Sequence, residues 1–274
     1  MRFRNAACLL IAILLFASAV RADDRGPYSL GIRLGFFGPI STTLNQEWIK
    51  ARNADMTILS RTFSALNYSV SQDSLLPITD NTAFGGEFEY RFGNRMSLVI
   101  GAEYVRFKRT GSVQAFSIVD GAAVSADFLI SSRVSALPLM AGVKRTFTVI
   151  GANAYIGAGV GYYLSRLSVE TDLKFEGLII GIPYRELVKG SGGAFAPHVN
   201  LGIDFPVADT AILSAEVRIP FGTVNSYTIK KREAVTFAEG TGDTMTFIDI
   251  QGQTRPFKWE LTGINAGLVL KWMF

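Results

Sequence analysis

Beyond residue 22, apolar side chains recur at every second position in segments of about ten residues, and no long unbroken apolar run occurs. The clearest segment is Thr262–Phe274. One face reads Ile264, Ala266, Leu268, Leu270, Trp272, Phe274. The other reads Gly263, Asn265, Gly267, Val269, Lys271, Met273. The first set suits lipid, with aromatics where the membrane interface should lie, and the second, smaller and more polar, suits a lumen. No segment after the N-terminal region reaches the 18 or more uncharged apolar residues of a transmembrane helix. A chain that is membrane-like in composition but has no helical span can satisfy its backbone in lipid in one other way, as a closed barrel.

Seven further segments follow the same period. Residues 28–37 place Leu30, Ile32, Leu34 and Phe36 outward and Ser29, Gly31, Arg33 and Gly35 inward. Residues 83–92 place Phe84, Phe88, Tyr90 and Phe92 outward and Gly85, Glu87, Glu89 and Arg91 inward. After the tight turn Gly93-Asn94-Arg95, residues 96–107 place Leu98, Ile100, Ala102 and Tyr104 outward and Glu103 inward. Residues 133–147, 152–164, 195–205 and 211–221 complete the set. Lys144, Asp204, Glu216 and Arg218 join the inward face, and Pro138 weakens the strand at 133–147 because it removes a ladder donor. The connections alternate: 92–96, 147–152 and 205–211 are short, whereas 38–82, 108–132, 165–194 and 222–257 are long. Short turns on one side and long loops on the other predict an all-β, membrane-spanning, antiparallel up-and-down barrel of eight strands, with periplasmic turns and extracellular loops. Strand-like runs at Phe116–Ala126, Lys174–Leu187, Ala234–Phe237 and Thr244–Ile250 predict hairpins that extend beyond the membrane. Ten strands result if one of them crosses.

Residues 1–22 read as a secretory signal. Arg2 and Arg4 form a positive start, Ala6–Val20 an apolar stretch of 15 residues, and Val20-Arg21-Ala22 a small-residue cleavage frame. The expected mature domain is therefore 23–274. The chain has 27 Lys plus Arg and 23 Asp plus Glu, and residues 1–22 hold three arginines and no acid, so the mature balance is 24 against 23. That near-neutral chain has no basic stripe for nucleic acid. Its single cysteine, Cys8, lies in the signal, which leaves no mature disulfide or cysteine metal site.

The chain resembles the OmpA/OmpX-type small outer-membrane barrels, in the broad outer-membrane β-barrel domain group. The resemblance rests on Phe84-Gly85-Gly86-Glu87-Phe88-Glu89-Tyr90-Arg91-Phe92, on Ala215-Glu216-Val217-Arg218, on the Gly157/Gly159/Gly161 ladder and on the alternation running to Phe274. It covers nearly all of the mature chain and implies a bacterial outer-membrane location. It also implies that Leu270, Trp272 and Phe274 form the signal read by the barrel-assembly machinery. Motifs this diffuse specify a fold and not an activity.

The inward charges are the main candidate constellation: Arg33, Glu87, Glu89, Arg91, Glu103, Lys144, Asp204, Glu216, Arg218 and Lys271. An eight-stranded barrel is just wide enough to be filled by side chains, so these ions should form a structural plug, with Glu103, Glu216, Arg218 and Arg33 pairing across a closed lumen. A gated polar path is the alternative. The glycine ladder sits within a strand and opens no helix, so it is no dinucleotide site. It makes room for large neighbours such as Tyr155, Tyr163, Arg33 or Arg218.

His198 is the only histidine and cannot hold zinc without partners. Outer-membrane lipid A deacylases resemble the chain in size and form and use a His-x-Ser pair. Here the pattern is His198-Val199-Asn200, which lacks the nucleophile, so a hydrogen-bonded lumen histidine is expected and no catalytic residue, cofactor or metal. The basic run Lys230-Lys231-Arg232 is a candidate contact for lipopolysaccharide phosphates. The expected function is a non-enzymatic barrel with a charge-paired lumen, acting in envelope integrity or in surface interaction with a ligand through its loops. The alternatives are a narrow channel for small or apolar solutes, as in OmpW-type barrels, and a lipid-modifying enzyme.

Overall fold

The computed structural model describes residues 27–39, 44–78, 81–92, 95–149, 152–177, 184–234 and 242–274. The expected signal segment lies outside them, as do Gly93-Asn94 and residues 235–241. Fourteen strands are described: β1 (Tyr28–Pro39), β2 (Ser69–Asp73), β3 (Asn81–Phe92), β4 (Met96–Val119), β5 (Ala122–Val149), β6 (Ala152–Glu176), β7 (Tyr184–Ala208), β8 (Ala211–Pro220), β9 (Thr223–Val224), β10 (Thr228–Ala234), β11 (Thr246–Ile248), β12 (Thr254–Pro256), β13 (Trp259–Glu260) and β14 (Gly263–Met273). A π-helical stretch, Leu44–Ile49, runs into helix α1 (Lys50–Ala65).

Eight strands close a ring in the order β1-β3-β4-β5-β6-β7-β8-β14, with β14 pairing back onto β1. All neighbours are antiparallel and the ring leaves no edge to face lipid, with the β4–β5 pairing interrupted only beside Pro138, between Ala102/Leu139 and Val105/Ala136. The eight-strand expectation holds, and the pleat follows the alternation: Leu34, Phe36, Ile100, Ile156, Leu201 and Leu268 all stand exposed on the outer wall. Their counterparts Arg33, Glu103, Lys144, Tyr155, Asn200 and Glu216 are buried inside. At one rim Tyr28 stacks on Phe88, Tyr90 and Phe274, with centroids 5.9, 5.2 and 6.1 Å apart, and the backbone of Phe274 exchanges hydrogen bonds with that of Tyr28. This aromatic cluster lies where a membrane interface belongs.

The strands are unequal. β1, β3, β8 and β14 have 10 to 12 residues, about the length that crosses a bilayer. β4, β5, β6 and β7 have 24 to 28 and run far beyond it. The segment 108–132, expected as a long loop containing a hairpin, is the continuation of β4 and β5 to a two-residue tip. Asp120 and Gly121 take φ of 52° and 80° there, the left-handed pair that a tight hairpin requires. β2 adds to the outer part of β4, and β10 to the outer part of β7. The result is a six-stranded outer sheet, β2-β4-β5-β6-β7-β10.

The helix was not expected from the sequence. Lys, Ala, Arg, Met and Leu favour it locally, Arg52 pairs with Asp55 at 2.9 Å one turn on, and Asn67 at φ 63° lies just past its end. Its buried Met56 joins Leu44, Trp48, Phe107, Ile130, Leu167, Tyr227, Phe257 and Trp259 in one apolar core. That core sits at the outer end of the barrel, between the outer sheet, the helix and the segment 221–262. The described parts of the long loops thus form a cap around an apolar core.

Candidate functional site

The lumen is a stack of paired ions. In the upper layer Arg33 of β1 donates from Nη1 to Glu216 of β8 at 2.5 Å and lies 3.5 Å from Glu103 of β4. Arg218 of β8 contacts the same two carboxylates at 2.8 and 3.2 Å. Tyr155 and the Asn200 amide donate to the second oxygen of Glu216 at 2.8 and 3.1 Å, and Asn265 donates to Glu103 at 2.6 Å. In the lower layer Lys144 is bonded to Glu89, and Lys271 lies 3.4 to 3.6 Å from Asp204, Glu87 and Glu89. Both ammonium groups also face the Tyr155 ring, at 4.7 and 5.2 Å. Ser214 donates to Asp204.

Every one of these ions except Arg91 is buried. Among the described residues the stack holds four cations (Arg33, Lys144, Arg218, Lys271) and five carboxylates (Glu87, Glu89, Glu103, Asp204, Glu216). Arg91, 3.7 Å from Glu89, brings the count to five against five. Its side chain is 40% exposed, which places it at the mouth and not within the lumen. Ions this deep remain charged only when such partners replace their water.

The free space left is small. A cavity of about 20 Å³ is lined by Arg33, Glu87, Met140, His198, Asn200 and Arg218, room for about one water. Above it stands the apolar cap. Below it, at the mouth, is a polar recess of about 300 Å³ lined by Glu89, Arg91, Arg95, Ser97 and Asp204.

The glycines shape this packing. A Cβ on Gly157 would meet Asn200, one on Gly159 would meet the Ala141 carbonyl and His198, and one on Gly161 would meet Met140 and Tyr163. Tyr163 is thus one neighbour of the ladder, as expected, but Arg33 and Arg218 are not among the nearest atoms. Tyr155 lies against Gly202 instead.

His198 faces the lumen and is buried, but its Nδ1 has no hydrogen-bond partner among the described residues. The expected hydrogen-bonded histidine is corrected at that atom: Gly159, its cross-strand partner, offers no side chain to receive it. No group of three or more potential metal ligands occurs among the described residues. In the basic run, Lys231 is paired with Glu233, and Arg232 donates to Glu186 at 2.7 and 3.0 Å. Leu270 and Trp272 face outward on β14, where they pair with Ile32 and Leu30 of β1.

No family model matches the chain, and no curated protein matches it. Among solved structures it is similar to Neisserial surface protein A at 10% identity and a TM-score of 0.38, over 90% of this chain and 96% of that one. It is similar to outer membrane protein OprG from Pseudomonas aeruginosa at 12% identity and a TM-score of 0.41, over 92% and 99%. It is also similar to Ail of Yersinia pestis, solved with the heparin analogue sucrose octasulfate, at 10% identity and a TM-score of 0.26, over 88% and 98%. With its closed ring, exposed apolar wall and long hairpins at one end, the chain has the fold of an eight-stranded outer-membrane β-barrel.

Proposed function

We propose that this barrel is a closed, non-enzymatic anchor whose work is done by its cap at the cell surface, in envelope integrity or in contact with a surface ligand. The carrying observation is the ion stack under a hydrophobic stopper, with free space of about 20 Å³ in the lumen. A solute path needs far more than that, and water-filled porins have about 16 strands. The lone histidine has neither a serine nor a cysteine beside it in the sequence pattern, so no reaction is assigned to it.

The cap has features suited to binding. It is built on strands rather than free loops, and β2 brings Ser69, Ser71, Gln72 and Asp73 to the border of the outer sheet, exposed. A strand border of this kind can accept an added strand from a partner. The assembly role proposed for Leu270, Trp272 and Phe274 concerns how the barrel is inserted and is independent of the cap.

The test is to replace residues 44–78 with a short Gly-Ser linker in cells that depend on the chain, beside a variant carrying Arg33→Met and Glu216→Gln in the lumen. Sensitivity to detergent and to large antibiotics, and cell adhesion, are then compared at equal levels of folded barrel. The proposal expects the cap replacement to change these phenotypes and the lumen variant to leave them unchanged. A cap-less barrel that behaves as the intact protein overturns it.

A further inference from the structure

The outer wall changes character within one pleat. On β4, β5 and β6 the last outward apolar row is Tyr104, Leu137 and Leu164, all exposed, with Tyr162 and Phe195 in ring contact at 4.7 Å just below. The next outward row is Arg106, Ser135 and Arg166, joined by direct pairing of Arg106 with Ser135 and of Ser135 with Arg166. The row above is Lys108, Arg133, Ser168 and Lys189, again in direct cross-strand register. Arg106, Lys108, Arg133, Arg166 and Lys189 are all exposed.

Four of these cations, Arg106, Lys108, Arg133 and Arg166, make no ion pair with a described residue. Lys108 and Arg133 stand directly opposite each other, a placement that is unfavourable for like charges. Arg133 is also the diagonal neighbour of both Arg106 and Arg166, about 7 to 8 Å away. The charges higher on the same sheet behave differently: Arg185 pairs with Glu170 at 2.8 Å, Lys174 with Asp172 at 3.4 Å, and Lys231 with Glu233. These three cations have carboxylate partners, and the four in the band next to the apolar wall have none among the described residues.

We infer that this band binds the phosphates of a diphosphorylated glycolipid in the surrounding outer leaflet. The apolar wall below it takes the acyl chains and the tyrosines mark the interface, so the cations lie at headgroup depth. From β4 to β7 the band spans three strand spacings, about 14 Å, enough for one headgroup to meet several cations at once. The sequence's only basic run is not this site, because Lys231 and Arg232 already have carboxylate partners. The inference rests on the orientation with the cap outside but not on a closed lumen.

The experiment uses the full chain in phosphatidylcholine nanodiscs, titrated with diphosphoryl lipid A and read by native mass spectrometry. Each removed charge near a membrane surface should weaken binding by about fivefold. Lys108→Gln with Arg133→Gln should therefore weaken it more than tenfold, and adding Arg106→Gln and Arg166→Gln should weaken it further. Lys50→Gln with Arg61→Gln, on exposed sites of the helix, should leave it unchanged. Folding is checked by heat-modifiable migration, which these exposed substitutions should not alter. Binding of the fourfold variant within twofold of the parent overturns the inference, as does equal loss in the helix control. Equal affinity for phosphatidylglycerol overturns it too, since that means attraction to any anionic lipid. Conductance is unaffected in every case, so this inference and the closed-lumen proposal fail separately.

Discussion

Removing Arg33 alone should cost far more than removing it together with a carboxylate. In the upper layer two guanidinium groups face two carboxylates, and Arg33→Met leaves one against two. Glu216 then keeps Arg218, Tyr155 and Asn200, but Glu103 and Glu216 must share a single cation in a space with room for about one water. Breaking one partner from a buried pair typically costs about 3–5 kcal/mol. Glu216→Gln in the same chain returns the layer to one against one, and an amide oxygen can still accept from Tyr155 and Asn200. Most of the loss should be recovered in the double variant, which is a coupling energy of about 2 kcal/mol or more, within the range for contacting residues. The assay is reversible urea unfolding in lipid vesicles, followed by tryptophan fluorescence for the parent, both single variants and the double. An Arg33→Met variant within about 0.5 kcal/mol of the parent, the range of an ordinary surface substitution, would rule out this buried pairing. So would a double variant as unstable as the sum of the singles.

Three further outcomes follow from the same geometry. Gly159→Ala should destabilise by about 1–3 kcal/mol, the usual cost of overpacking, because its Cβ would stand 2.4 Å from the Ala141 carbonyl oxygen, whereas Gly86→Ala, whose nearest atom is at 3.3 Å, should be mild by the same unfolding assay. In the cap, Asp249 accepts the Gln253 and Gln251 backbone N–H groups and pairs with Arg255, all at 2.9 Å; the Gln253 bond foremost holds its carboxyl below the usual range. A depressed carboxyl stabilises the turn above the ordinary aspartate pKa and loses that contribution as pH falls through the lower folded value. Amide exchange at Gln251 and Gln253 should therefore stay slow near neutrality and show extra opening only in strong acid, and Asp249→Asn should abolish that pH dependence. Phe274→Ala removes a ring stacked on Tyr28 and should lower the yield of heat-modifiable folded barrel in cells; an unchanged yield would count against its proposed assembly role.

The ring was legible because lipid and lumen impose a period of two on every strand that separates them. Leu34 and Arg33, or Leu268 and Gly267, could be placed on opposite faces from alternation alone, and the inward ions identified that way meet in two layers. The grouping of Arg33, Glu103, Glu216 and Arg218 was legible, but the partners of Lys144 and Lys271 were not, since they depend on how the ring closes. The cap was hidden for another reason. Met56, Leu59 and Phe63 recur at helical spacing, but Thr57, Ser60 and Thr62 between them dilute the stripe, and the helix gains its stability by packing into the cap. The basic band escaped notice because its members lie far apart in sequence, at 106, 108, 133 and 166, and only register brings them side by side. Lys230-Lys231-Arg232 drew attention by being contiguous, yet contiguous residues of a strand point to opposite faces.

In the proposed closed barrel, paired ions fill the lumen beneath an apolar stopper. Single-channel recording of the purified barrel in planar bilayers tests it most directly, with the intact chain measured beside a chain in which residues 44–78 are replaced by a linker. No discrete conductance steps are expected from either, since the ion stack closes the lumen even without the cap. Stable, solute-sized openings of the intact chain would contradict it.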